Sequence, residues 1–131
     1  MFTELKKLLK NSYAPLTNFK VASIVVFKNN TKQVGVNVET ATLNPTICAE
    51  RNAIFSAIAN GQKFGDVKEI HILANTKHKE DFTFPCGVCR QVIYEASNGE
   101  ASIYVYSLSG EKQQYKIKDL LPNAFSGKEI N

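Results

Sequence analysis

Apolar positions follow two periods along the chain. MFTELKKLLKNSY alternates apolar and charged residues as a short amphipathic helix does, rather than as a signal peptide. From Phe19 to Phe27 the chain is rich in β-branched residues, Asn29 and Asn30 interrupt it, and Gln33 to Val38 resumes it, which predicts an antiparallel hairpin. Pro45 to Asn60 carries Ile47, Ile54, Ala57 and Ile58 at helical spacing, with Asn60 and Gly61 as a left-handed stop. Val67 to Ala74 predicts a strand. In FPCGVCRQVIYEASNG, Cys89, Val92, Ile93 and Ala96 fall at i, i+3, i+4 and i+7 before Asn98 and Gly99, so a second central helix is expected there. Ala101 to Ser107 returns to strand character, and Tyr115 to Ile117 leaves a strand and an irregular edge both open. Strand, helix and strand with short links imply a parallel crossover. The expected architecture is therefore a three-layered α/β/α domain around a mixed sheet.

Composition narrows the setting. A length of 131 residues favours one domain, spanning 1–131, over two, and 44% hydrophobic with 21% charged residues is ordinary globular usage. The formal net charge of +4 raises the question of nucleic acid, yet the lysines are scattered from Lys6 to Lys128 without a basic block, so no nucleic-acid face is expected. No apolar run is long enough to span a bilayer. A cytoplasmic location follows as the default, and the three cysteines, which cannot all pair within one chain, would remain thiols there.

Those thiols carry the chemistry. Cys86 and Cys89 stand three apart at the head of a helix, where Pro85 loses nothing by lacking an N–H and the positive dipole end favours thiolate. Taken alone the pair also fits two buried small hydrophobes or a redox dithiol, although a redox pair has no use for a third cysteine. Cys48, in TICAERNAIF, heads the other central helix. Helices that follow adjacent parallel strands present their N-termini on one sheet edge, so the three sulfurs can converge. Three protein ligands with an open fourth position suit catalytic zinc. His71, within a strand, and His78, in the polar loop NTKHKED, lie away from both helix heads and are not expected to ligate. Three thiolates around Zn²⁺ leave a charge of −1; Arg51, at i+3 from Cys48, is placed to offset it. Glu50 is the remaining ionisable group beside the metal, but at i+2 it does not share the helical face of Cys48. Spacing alone leaves it a helix-start carboxylate.

CAERNA followed by PCGVCRQV resembles the zinc-dependent cytidine deaminases of the short-chain class that forms homotetramers, through the pattern of Cys or His, any residue, Glu, then Pro-Cys-x-x-Cys. The resemblance runs from YAPLTNFKV through GVNVETA to LLPNAF. It implies Cys48, Cys86 and Cys89 as ligands of one Zn²⁺ per subunit, Glu50 as proton shuttle, and Arg51 with Gln91 as offset to the thiolate charge. It further implies Asn37 and Glu39 on the ribose hydroxyls, Phe19 beside the base, the Ala49 N–H on the pyrimidine carbonyl, and Phe125 lent by a neighbouring subunit. Cytidine and 2′-deoxycytidine are the implied substrates, and pyrimidine salvage the setting. The chain departs from the family pattern at Leu16, where a tyrosine is usual, at Val21-Ala22-Ser23-Ile24, where Val-Gly-Ala-Ala is usual, and at Leu43, where a tyrosine is common. Two other readings remain: a structural zinc module that binds nucleic acid or protein, and a deaminase of a related compound such as blasticidin S or a base in nucleic acid. Glu39 would repel a nearby phosphate, which favours a free nucleoside.

Overall fold

The computed structural model describes residues 1–130. A five-stranded sheet has the order β2-β1-β3-β4-β5, with β1 at Val21–Phe27, β2 at Lys32–Val36, β3 at Val67–Ala74, β4 at Ser102–Tyr106 and β5 at Lys112–Lys116. β1 pairs antiparallel with both β2 and β3, β3 runs parallel to β4, and β5 is antiparallel to β4. Helix α1 (Phe2–Leu9) covers one face; α2 (Ala49–Ala59) and α3 (Gly87–Ala96) cover the other; α4 (Ile117–Leu120) follows β5.

The period-2 alternation sorts each central strand between two cores. Val21, Val25 and Phe27 of β1, Ile70 and Ile72 of β3, and Ile103 and Val105 of β4 join Ala53, Ile54, Ala57 and Ile93 on the α2 and α3 side. Ala22, Ile24, Leu73 and Tyr106 meet Leu5 of α1 on the other. Burial on both faces explains why Phe19 to Phe27 carries almost no polar residue. The Ser23 hydroxyl, at one of the family departures, is buried there without a hydrogen-bond partner among the described residues.

Three boundaries differ from the sequence expectation. The helix expected from Pro45 begins at Ala49. Residues 40–46 instead make turns closed by Leu43 N–H to Thr40 O and Thr46 N–H to Leu43 O, and Leu43 takes a left-handed backbone with φ +68°. The strand expected to reach Val38 ends at Val36, because Val38 pairs with Tyr13 on one side and Ile47 on the other in isolated bridges. The open C-terminal segment resolves into β5 followed by α4; its polar edge-strand sequence, KQQYK, carries no alternation to announce it.

The topological premise for convergence also needs correction. β2 and β3, which precede α2 and α3, are not adjacent, since β1 lies between them. Two successive antiparallel pairings restore the strand direction, so β2 and β3 still end on the same sheet edge and both helices start there. Gly35 sets how closely α2 seats on the sheet: a Cβ built on it would lie 2.5 Å from Ala49 O and 2.5 Å from Ala53 N, so only a residue without a side chain fits.

Candidate active site

Cysteine occupies the N-cap of both central helices. Cys48 precedes α2 with extended φ −75° and ψ 154°, and Cys86 precedes α3 with φ −67° and ψ 169°, its sulfur accepting the Cys89 N–H at 3.5 Å. A sulfur in that position sits among unpaired helix N–H groups at the positive dipole end. The Sγ atoms of Cys48, Cys86 and Cys89 all lie within 4.8 Å of one another, and Cys48 and Cys86 are 3.7 Å apart. Cys89 is fully buried and Cys86 exposed, so the cluster opens to solvent on one side. Three thiol sulfurs at this spacing are a soft donor set that fits one zinc ion.

Charge is arranged around those sulfurs. Arg51 Nη2 donates to Cys48 Sγ at 3.4 Å, and its Nε is buried without a partner among the described residues. Hydrogen bonding from Cys89, then from Arg51 and Cys86, draws the Cys48 thiol well below its ordinary range, while its bond to Cys48 and burial push Cys89 up. The Cys48 sulfur in turn holds the Arg51 guanidinium more firmly protonated. Glu50 is buried, and desolvation pushes its carboxyl up to about 7, where it can both take and give a proton near neutral pH. The helix-wheel argument that left Glu50 undecided fails for a physical reason: Cys48 is the cap, with extended backbone, so helical spacing does not start from it.

A cavity of about 170 Å³ opens beside the cluster, lined by Phe19, Val21, Asn37, Thr46, Ile47, Cys48, Ala49, Glu50, Thr83, Phe84 and Cys86. Six of the expected site residues therefore share one space: Phe19, Asn37, Cys48, Ala49, Glu50 and Cys86. Asn37 is fixed there by its amide, whose Oδ1 accepts from Val21 N–H at 2.8 Å and from the Ser12 hydroxyl, and whose Nδ2 donates to Phe19 O at 2.8 Å. Glu39 is buried but lies outside the lining; its carboxylate accepts from Leu16 N–H at 3.0 Å, Thr17 N–H at 3.1 Å and the Thr17 hydroxyl. Leu16 thus contributes its backbone rather than its half-exposed side chain. Gln91 bonds elsewhere than the sulfurs, donating to Glu95 Oε2 at 2.8 Å and to Phe125 O at 2.7 Å. Phe125 is exposed and away from its own chain's cavity. Phe84, packed edge-on against Tyr115 at 5.3 Å between centroids, is a lining aromatic that sequence reasoning passed over. Its place two residues before Cys86 was the available signal.

A buried carboxylate beside three convergent thiols, at the head of two helices on one sheet edge, defines the site of a zinc-binding hydrolase. Residues 1–105 match the family model described as the cytidine and deoxycytidylate deaminase zinc-binding region. The chain is 34% identical over 122 residues to the cytidine deaminase of Halalkalibacterium halodurans, covering 93% of this chain and 89% of that protein. Against the cytidine deaminase of Mycoplasma genitalium the identity is likewise 34%, over 93% of this chain and 90% of the relative. The crystal structure of cytidine deaminase from Burkholderia pseudomallei superposes with a TM-score of 0.87 at 34% identity, covering 95% of each chain. The chain belongs to the cytidine deaminase family.

Proposed function

We propose that the protein hydrolyses free cytidine and 2′-deoxycytidine to uridine and 2′-deoxyuridine with release of ammonia, acting as a single catalytic domain in cytoplasmic pyrimidine salvage. The observation that carries this reading is Glu50, a buried carboxylate whose proton affinity is raised toward neutrality beside a three-thiol cluster and a cavity of about 170 Å³. Cys48, Cys86 and Cys89 would hold one zinc ion, whose charge would make an attacking water acidic near neutral pH. Glu50 takes the proton of that water as C4 of the base gains its oxygen. The same carboxyl then passes that proton to N3, takes the remaining proton from the new C4 hydroxyl and gives it to the departing amine, so it ends each turnover ionised as it began. Phe19 packs beside the base, the Ala49 N–H meets the pyrimidine carbonyl, and Asn37 with Glu39 receives the sugar hydroxyls. Arg51 offsets thiolate charge; Gln91 takes part in the same offset once Phe125 is drawn toward a neighbouring subunit and its carbonyl leaves the amide.

The test is ammonia release from cytidine, 2′-deoxycytidine, cytidine monophosphate, cytosine and blasticidin S side by side. Turnover of the two nucleosides above the other compounds supports the reading; preference for blasticidin S or the monophosphate overturns it. The structural-module alternative loses ground because the metal-ligating side chains grouped among the described residues stop at three. No helix among the described residues is long and apolar enough to cross a membrane.

Replacing Arg51 with Gln keeps part of the hydrogen bonding to Cys48 and removes the charge. Turnover is expected to slow and its acid limb to move to higher pH, because the attacking water becomes less acidic. An unchanged rate and pH profile overturn the offset role. We also propose a homotetramer in which Phe125 enters a neighbour's site, supported by exposed apolar side chains at Tyr13, Leu16, Phe19, Leu43, Phe84, Val88 and Phe125. Light scattering at assay concentration is expected to give the mass of four chains, and a fully active monomer overturns the assembly.

A further inference from the structure

The two residues proposed to meet the sugar are held in different ways. Asn37 is oriented by backbone groups at both ends of its amide: Val21 N–H fixes the oxygen and Phe19 O fixes the nitrogen. The Ser12 hydroxyl on Oδ1 adds to an orientation already set. Glu39 has no such redundancy. Oε1 accepts the N–H groups of Leu16 and Thr17, but Oε2 has one side-chain partner in the site, the Thr17 hydroxyl. That hydroxyl also accepts the Phe19 N–H at 3.0 Å. One side chain therefore ties the carboxylate to the loop that carries the cavity aromatic.

A carboxylate has about four acceptor directions, and three are filled here by protein donors. The Thr17 hydroxyl spends its only proton on Oε2, so one lone pair is left for a ligand hydroxyl. Without that donor the carboxylate could rotate about its Oε1 contacts and present either oxygen face. Resting on the substrate reading above, we infer that Thr17 is a positioning residue for nucleoside binding, aligning Glu39 to accept a single sugar hydroxyl. Thr17 acts through Glu39 and does not itself touch the reacting atoms. Its influence reaches the charge of Glu39 as well. The Thr17 hydroxyl is the largest of the effects that hold this carboxyl below the ordinary carboxylate range, followed by burial in opposition and then the Thr17 and Leu16 amides, with no charged side chain contributing.

The experiment compares Thr17→Val, which keeps the shape and removes the hydroxyl, with Thr17→Ser, which restores it, and Glu39→Ala. Steady-state constants for cytidine are measured across pH, together with inhibition constants for uridine and for uracil, which lacks the sugar. Loss of a hydrogen bond to a charged group predicts a rise of about tenfold in KM for cytidine and in the uridine constant, with kcat and the uracil constant within about twofold of wild type. Thr17→Ser is expected to return both to wild type. On the acid side, Glu39 must protonate before its acceptor is lost; with its proton affinity released upward in Thr17→Val, KM is expected to begin rising at a higher pH than in wild type. If Glu39→Ala raises KM but Thr17→Val does not, the positioning role is wrong and the substrate reading stands. If neither raises it, the sugar contact itself is wrong. If Thr17→Val weakens uracil as much as uridine, or Thr17→Ser fails to restore binding, Thr17 is merely structural.

Discussion

Glu50→Ala is expected to abolish most cytidine deamination while leaving the zinc in place. The side chain is buried against the thiols, yet it is not among the three sulfurs grouped for a metal, so removing it takes away the proposed proton carrier and keeps the donor set. A positioned general acid/base is worth ~10² to 10⁴ in rate, and one used at the water, at N3 and at the leaving amine can exceed that. Stability should move the other way or hardly at all, since a carboxylate held with raised proton affinity by burial opposes folding at pH values where it is charged. Glu50→Gln preserves size and some hydrogen bonding but cannot carry the proton, and is expected to be nearly as inactive. Zinc content, melting temperature and ammonia release measured on the same preparations check this; a folded, zinc-loaded and active Glu50→Ala protein removes the mechanism.

Cys86→Ser is expected to cost both metal and activity. Cys86 is the exposed member of the cluster, whereas Cys89 belongs to the apolar core, so the serine change probes ligation with little disturbance of packing. Zinc affinity is expected to fall by more than the roughly 10- to 100-fold that follows loss of a partner behind a ligand. Turnover without added zinc should fall with metal occupancy. The serine oxygen can still cap α3, so the melting temperature measured in excess chelator is expected to match that of wild type under the same conditions. Metal analysis after dialysis decides it: retention of one equivalent per chain with full activity takes Cys86 out of the ligand set.

Much of this was legible because the chemistry is concentrated in two short segments. Helix periodicity around Ile54, Ala57, Cys89 and Ile93 marked the faces that enter one core, and three cysteines at two helix heads pointed to a metal. What the sequence obscured were features made by contacts between distant segments. The start of α2 at Ala49 depends on turns at 40–46 and on the bridge between Val38 and Ile47, neither of which leaves a periodic trace. β5 lacks alternation because it is an edge strand with polar residues on most positions. Glu50 was undecided for want of one fact, that Cys48 caps rather than enters its helix. The clamp on Glu39 could not be seen at all, since it joins residues 22 and 23 positions apart through a loop without regular structure.

That the two helix heads bearing the cysteines follow different strands has a consequence for how long the molecule lasts. Because each half of the cluster hangs from its own strand, Cys48 and Cys86 are separated by 38 positions of chain. An ion gripped by both fastens the ends of that segment as a rivet would; a covalent tie of the same span is worth roughly 4 kcal/mol in the loop-closure description. Stripping the ion is therefore expected to age the fold as well as to silence it. A preparation stored with a strong chelator is expected to lose refoldable material faster than one stored with trace zinc at the same temperature.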